Sequence, residues 1–157
     1  MIFKSGIVEI RQAKKEDIKE LRNHLRIEDH REVMLSGFHN NEAALEHGLA
    51  NSTESYTVLV EGKVSAMFGI NPRTLLGAEA VIWFLGRPEM ARIKKTFMRV
   101  RRYIVNEWRR RYLVLYNVVP LDYAKSLAWL RWLGVNVDKT VTLGGREWQL
   151  MAFVREA

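Results

Sequence analysis

The sequence predicts a mixed α/β domain with a central mixed sheet flanked by helices, and three observations carry that expectation. Strand-like and helix-like patterns alternate along the chain in the order β-α-α-α-β-β-β-α-β-α-β-β. One segment, 89–111, places Ile93, Phe97, Val100, Ile104 and Trp108 at steps of four, three, four and four, the period of a helix with one buried face. That segment lies between two apolar runs, "AEAVIWFLG" at 78–86 and "LVLYNVV" at 113–119. A helical connection of that length allows its two strands to run parallel.

Each element follows from its own pattern. "GIVEIRQA" (6–13) reads as a strand, and the helix after it carries Ile18, Leu21 and Leu25 on one face. Two short helices are expected over 28–36, before Gly37, and over 41–50, capped by Asn40 or Asn41. "SYTVLVEGKVSAMFGI" (55–70) is a hairpin turning at "EGK". The 78–86 strand, the 89–111 helix and the 113–119 strand come next, the last ended by Pro120. "YAKSLAWLRWLGV" (123–135) predicts a helix closed by Gly134, and two strands about Gly144 and Gly145 complete the chain.

At 157 residues the chain has the size of one domain, taken as 1–157, and 48% hydrophobic with 27% charged residues is an ordinary globular composition. The absence of cysteine excludes a disulfide framework, a thiolate metal site and a thiol nucleophile. No segment has the run of about twenty apolar residues that spans a bilayer, so a membrane partner is not expected. His24, His30, His39 and His47 show no metal-ligand spacing, and no serine lies in a nucleophile-elbow context. The net charge of +7 is concentrated: 87–111 holds ten basic residues against Glu89 and Glu107. One basic element points to a directed surface for phosphate, nucleic acid or an acidic partner, with Arg99, Arg102, Arg109, Arg110 and Arg111 its candidate residues. The bland alternative is a solvated helix face whose terminal arginines complement the helix dipole.

The order of elements over nearly the whole chain resembles the GNAT acyltransferase fold. More narrowly, "WFLG", a basic helix, "YNVV", "AWLRWLG" and "GGREWQLMAF", with "VEGKVSAMFGI" before them, are similar to the internal virion proteins of T7-like tailed phages. The fold resemblance implies that acetyl-CoA would lie where the 78–86 and 113–119 strands splay, its pyrophosphate held by a glycine-containing turn at the next helix. Here that turn is "GRPEMARIKK", with Met90 and Arg92 on the glycine positions, leaving Gly86, Arg87 and Arg92 as weak candidates for the anion. The family's general-acid tyrosine falls on Leu130 and its cofactor-contacting asparagine on Tyr123. Glu79, where some members hold a base, and Tyr123 are therefore weak catalytic candidates, with Tyr116 a further hydroxyl.

These departures lead to the expectation of a degenerate acyl-CoA site without cofactor, in a virion or assembly component located in the particle and the host cytoplasm. Its partners would be other virion proteins or packaged DNA, in an oligomeric assembly. A working N-acetyltransferase using acetyl-CoA is the alternative, and a polyanion- or DNA-binding module the third reading.

Overall fold

The computed structural model describes residues 2–73, 78–120, 136–143 and 146–154, with side chains up to Tyr116. The chain divides into two compact units, Met1–Asn71 with Trp83–Arg101, and Pro72–Ile82 with Arg102–Ala157.

In the first unit the strand expected over 6–13 is β2 (Val8–Gln12), and a strand not expected, β1 (Phe3–Ser5), pairs antiparallel with it about a turn in which Gly6 takes φ 56°. The helix after it, α1 (Lys15–Leu21), is a turn shorter than expected, so Leu25 lies beyond it. Helices α2 (Ile27–Leu35) and α3 (Asn41–Asn51) follow, and Asn40 caps α3 by accepting from the Ala43 N–H at 2.8 Å. Strands β3 (Glu54–Val60) and β4 (Lys63–Pro72) form the hairpin, with Glu61 (φ 52°) and Gly62 (φ 77°) both left-handed as a two-residue turn requires. The sheet order is β1-β2-β3-β4-β5, where β5 is Glu79–Gly86.

Strand alternation divides this core. Met67 and Leu85 pack with Ile18, Leu21, Val33 and Leu45 of the first three helices. Their neighbours Phe68 and Phe84 point to the opposite face and meet Phe97 at ring distances of 5.7 and 5.3 Å.

Phe97 belongs to the long basic segment, which begins as a 3-10 turn (Pro88–Ile93) and continues as α4 (Lys94–Arg111). Ile93, Phe97, Ile104 and Trp108 are buried as their period predicts. Arg101 departs from the expected solvated face: it is buried on the helix's inner side.

In the second unit β5 and β6 (Val114–Pro120) are adjacent and parallel, as the apolar runs predict. Among the described residues their register covers Glu79–Val81 against Val114–Tyr116, and both strands continue past it. β6 also pairs antiparallel with β8 (Arg146–Val154), which pairs with β7 (Asn136–Leu143). The helix expected over 123–135, with Leu130 and Gly134, lies outside the described residues, as do Gly144 and Gly145.

A buried ion pair ties α1 to the sheet. Asp17 accepts both guanidinium nitrogens of Arg11 at 2.8 Å, the Lys14 N–H at 2.8 Å and the Thr57 hydroxyl at 2.6 Å. Burial alone would push this carboxyl up, but the hydrogen bonds from Arg11, Thr57 and Lys14 together hold it below the usual range. A depressed folded-state value means stability that is present above the unfolded carboxylate range, near pH 4, and lost as pH falls through the folded value. Urea unfolding across acidic pH should therefore show a steeper loss in the wild type than in Asp17→Asn, which has no such proton to take up.

Candidate active site

The site is built at the end of β5, all within the first unit. The Gly86 N–H donates to Asp29 Oδ2 at 2.9 Å, and the Gly86 carbonyl accepts the Arg26 N–H at 2.8 Å, so both backbone groups are held by the start of α2. Asp29 also accepts Arg26 Nε at 3.0 Å and Arg26 Nη2 at 2.8 Å. This fork fixes the guanidinium plane. A Cβ at Gly86 would meet the Phe84 ring at 3.0 Å, so the strand end closes tightly on its own aromatic neighbour.

Two guanidiniums share that ring: Arg26 and Arg101 each lie 5.5 Å from the Phe84 centroid. Burial and the nearby Arg26 charge push Arg101 down to about 10, with Asp29 opposing. Glu32 lies one helical turn beyond Asp29 on the same side of α2. It is half-buried, and burial together with the Asp29 charge pushes its carboxyl up to about 8, with Arg26 pulling it back. Burial likewise pushes Asp29 up, opposed by Arg26 and the Gly86 N–H. Burial raises both carboxyls, but Asp29 is committed to Arg26 and the Gly86 N–H, which leaves Glu32 the one placed to exchange a proton near neutrality.

None of Arg26, Asp29, Glu32 and Arg101 was singled out from the sequence. The spacing of Arg26, Asp29 and Glu32 is that of a charged surface helix and Arg101 sits in a run of arginines, whereas Asp29 is buried and bonded to Gly86, 57 positions away.

The residues that the sequence did single out fall as follows. Gly86 is in the cluster. Arg87 is buried and turned inward, its Nε donating to the Val64 carbonyl at 2.7 Å and its Nη2 to the Glu20 carbonyl at 2.8 Å, so it clamps α1 to β4. Arg92 is exposed and pairs with Glu61 at 3.3 Å. Glu79 is exposed at the start of β5, opposite Val114 in the second unit, and Tyr116 is half-buried on β6. Arg99, Arg102, Arg110 and Arg111 are exposed on α4, and Arg109 is half-buried. Tyr123 lies outside the described residues.

No family model matches the chain, and no curated protein does. Solved structures do. Ard1 from Thermoplasma volcanium aligns with a TM-score of 0.69 at 14% identity, covering 97% of this chain and 100% of that one. An acetyltransferase of the GNAT family from Bacillus anthracis aligns with a TM-score of 0.69 at 10% identity, over 98% of each chain. The chain has the GNAT acetyltransferase fold. A third structure, YncA from Salmonella typhimurium, solved with its cofactor acetyl-CoA, aligns with a TM-score of 0.65 at 16% identity over 95% of this GNAT-fold chain and 94% of its own. At these identities the likeness is one of fold. None of these findings supports the narrower resemblance to phage internal virion proteins. Among the described residues no helix is long and apolar enough to cross a membrane.

Proposed function

We propose that this GNAT-fold chain transfers an acyl group from acetyl-CoA to an amine, with Glu32 as the base that deprotonates the acceptor. The observation that carries the reading is the fold, shared over 95% of this chain with a structure solved with acetyl-CoA, in which Glu32 is a half-buried carboxyl one helical turn from the fixed Arg26–Asp29 pair. A base poised near neutrality suits an ammonium acceptor, which must lose a proton before its nitrogen can attack.

The turn after β5 fits an anion despite lacking glycine. Met90, on the first glycine position of the family pattern, is buried, so its side chain is turned into the core, away from any ligand outside the turn. Arg92, Lys94 and Lys95 are exposed along the same segment, against Glu89. The turn opens a helical segment whose aligned peptides favour negative charge at its start. Pro88 has no N–H and the Met90 N–H donates to the Arg87 carbonyl at 3.1 Å, so the Glu89 N–H and Arg92 would hold the pyrophosphate. Acetyl-CoA supplies the acyl group as a thioester, whose thiol is the leaving group.

Within the chain, Glu32 takes the ammonium proton onto its carboxylate, and Asp29, already committed to Arg26 and Gly86, keeps α2 against the strand end. Arg26 and Arg101 hold positive charge over Phe84 on the other side of β5. The test is release of free thiol from acetyl-CoA across a panel of primary amines, aromatic amines and peptides. Amine-dependent release supports the reading; none with any acceptor would overturn it.

One observation favours a second reading, a non-catalytic chain that does not hold the cofactor. Arg87, the first cation after β5, spends its guanidinium on two main-chain carbonyls rather than facing a ligand. That reading predicts neither thiol release nor acetyl-CoA binding.

A further inference from the structure

The C-terminal half of α4, in the second unit, carries a surface that acyl transfer does not use. Residues 102–111 contain four arginines and one acid, Glu107. The inner side of this half-helix is fixed by Ile104, Val105 and Trp108, all buried. Its outer side presents Arg102, Asn106 and Arg110 at intervals of four, and Arg111, exposed and further round the helix past Tyr103, closes it. Set among these residues is Tyr103, 68% exposed, a larger exposure than a phenol ring needs to reach water with its hydroxyl alone. Arg110 pairs with Glu107 at 3.1 Å, its side chain 76% exposed. Such a pair is worth little in water, and a guanidinium has five N–H donors, so it remains able to meet a phosphate.

We infer that this face binds single-stranded nucleic acid, with Arg102, Arg110 and Arg111 on the backbone phosphates and an unstacked base lying on the Tyr103 ring. The arginines alone would serve any polyanion. The exposed ring selects among polyanions, because a base in a duplex is already stacked and offers it no face, whereas a single strand does. An acidic peptide would satisfy the charges and leave the ring without a stacking partner.

The test is fluorescence anisotropy of labelled oligo-thymidylate titrated with the full chain over a salt series, with a mixed-sequence duplex and poly-glutamate in parallel. The single strand should bind more tightly than either competitor at low salt. Replacing Arg102, Arg110 and Arg111 with Gln should flatten the slope of log affinity against log salt by about 0.7 for each phosphate that the variant no longer neutralises. Tyr103→Ala should weaken binding about five-fold or more at an unchanged slope, and Tyr103→Phe should retain it, since the ring does the stacking. These side chains are exposed, so thermal melting should be nearly unchanged in every variant. Absence of saturable single-strand binding would overturn the inference, as would equal affinity for duplex or poly-glutamate, or indifference to Tyr103→Ala. None of these outcomes depends on acyl transfer.

Discussion

Glu32→Gln is expected to lower acetyl transfer by about 10²–10⁴-fold while leaving the protein folded, because the amide keeps the shape of the carboxyl and loses its basicity. The pH dependence makes the role visible. The base is the carboxylate, so the wild-type rate should rise as pH increases through about 8 and level off above it. A primary alkylamine is the acceptor of choice, since it stays an ammonium ion across this range and brings the proton that Glu32 removes. In Glu32→Gln the residual rate should lose that limb. The same group makes an opposite statement about stability. A carboxyl raised from 4.5 to about 8 contributes fully below the lower value, and that contribution is lost as pH rises through the upper one. The variant should therefore gain on the wild type in urea unfolding between those limits and be the more stable protein above them. A variant with the wild-type rate and pH profile would remove Glu32 from the chemistry.

The second large effect is structural. Phe97→Ala should cost about 3–5 kcal/mol, since Phe97 is 1% exposed and truncation leaves a cavity between two aromatic neighbours. Its ring stands edge-on to Phe68 at 5.7 Å and tilted against Phe84 at 5.3 Å. Phe84 in turn carries Arg26 and Arg101, so this loss loosens the charged cluster as well as the core. Phe97→Leu, which refills part of the space, should cost well under half as much. Chemical denaturation at unchanged m-value measures both, and equal costs for the two variants would show that refilling the space recovers nothing.

Much of the fold was legible because its strongest signals are local. The period of Ile93, Phe97, Ile104 and Trp108 specifies one face of a helix, and two apolar runs around it specify parallel neighbours. Asn40 announced a helix start and "EGK" a hairpin for reasons confined to a few residues. Strand β1 was missed because three residues, mostly exposed, carry no period. Leu25 suggested a longer α1, yet its side chain joins the core from beyond the helix end. The candidate site was hidden for a different reason. Arg26, Asp29 and Glu32 have the spacing of surface ion pairs, and Arg101 sits in a run of arginines that reads as solvated. What buries them is α2 docking on Gly86, a pairing that no local pattern encodes. Arg87 shows the converse: its position after a strand suggested an anion ligand, but its direction is set by the carbonyls of Val64 and Glu20.

Acetyl-CoA must bind a turn without glycine if this chain is to transfer acyl groups, and calorimetric titration of the full chain with acetyl-CoA tests that most directly. One saturable site is predicted, with affinity in the micromolar to low-millimolar range in which enzymes usually work. It should weaken on Arg92→Gln and be insensitive to Glu32→Gln. A flat titration across that range would contradict the proposed function and leave the fold without its reaction.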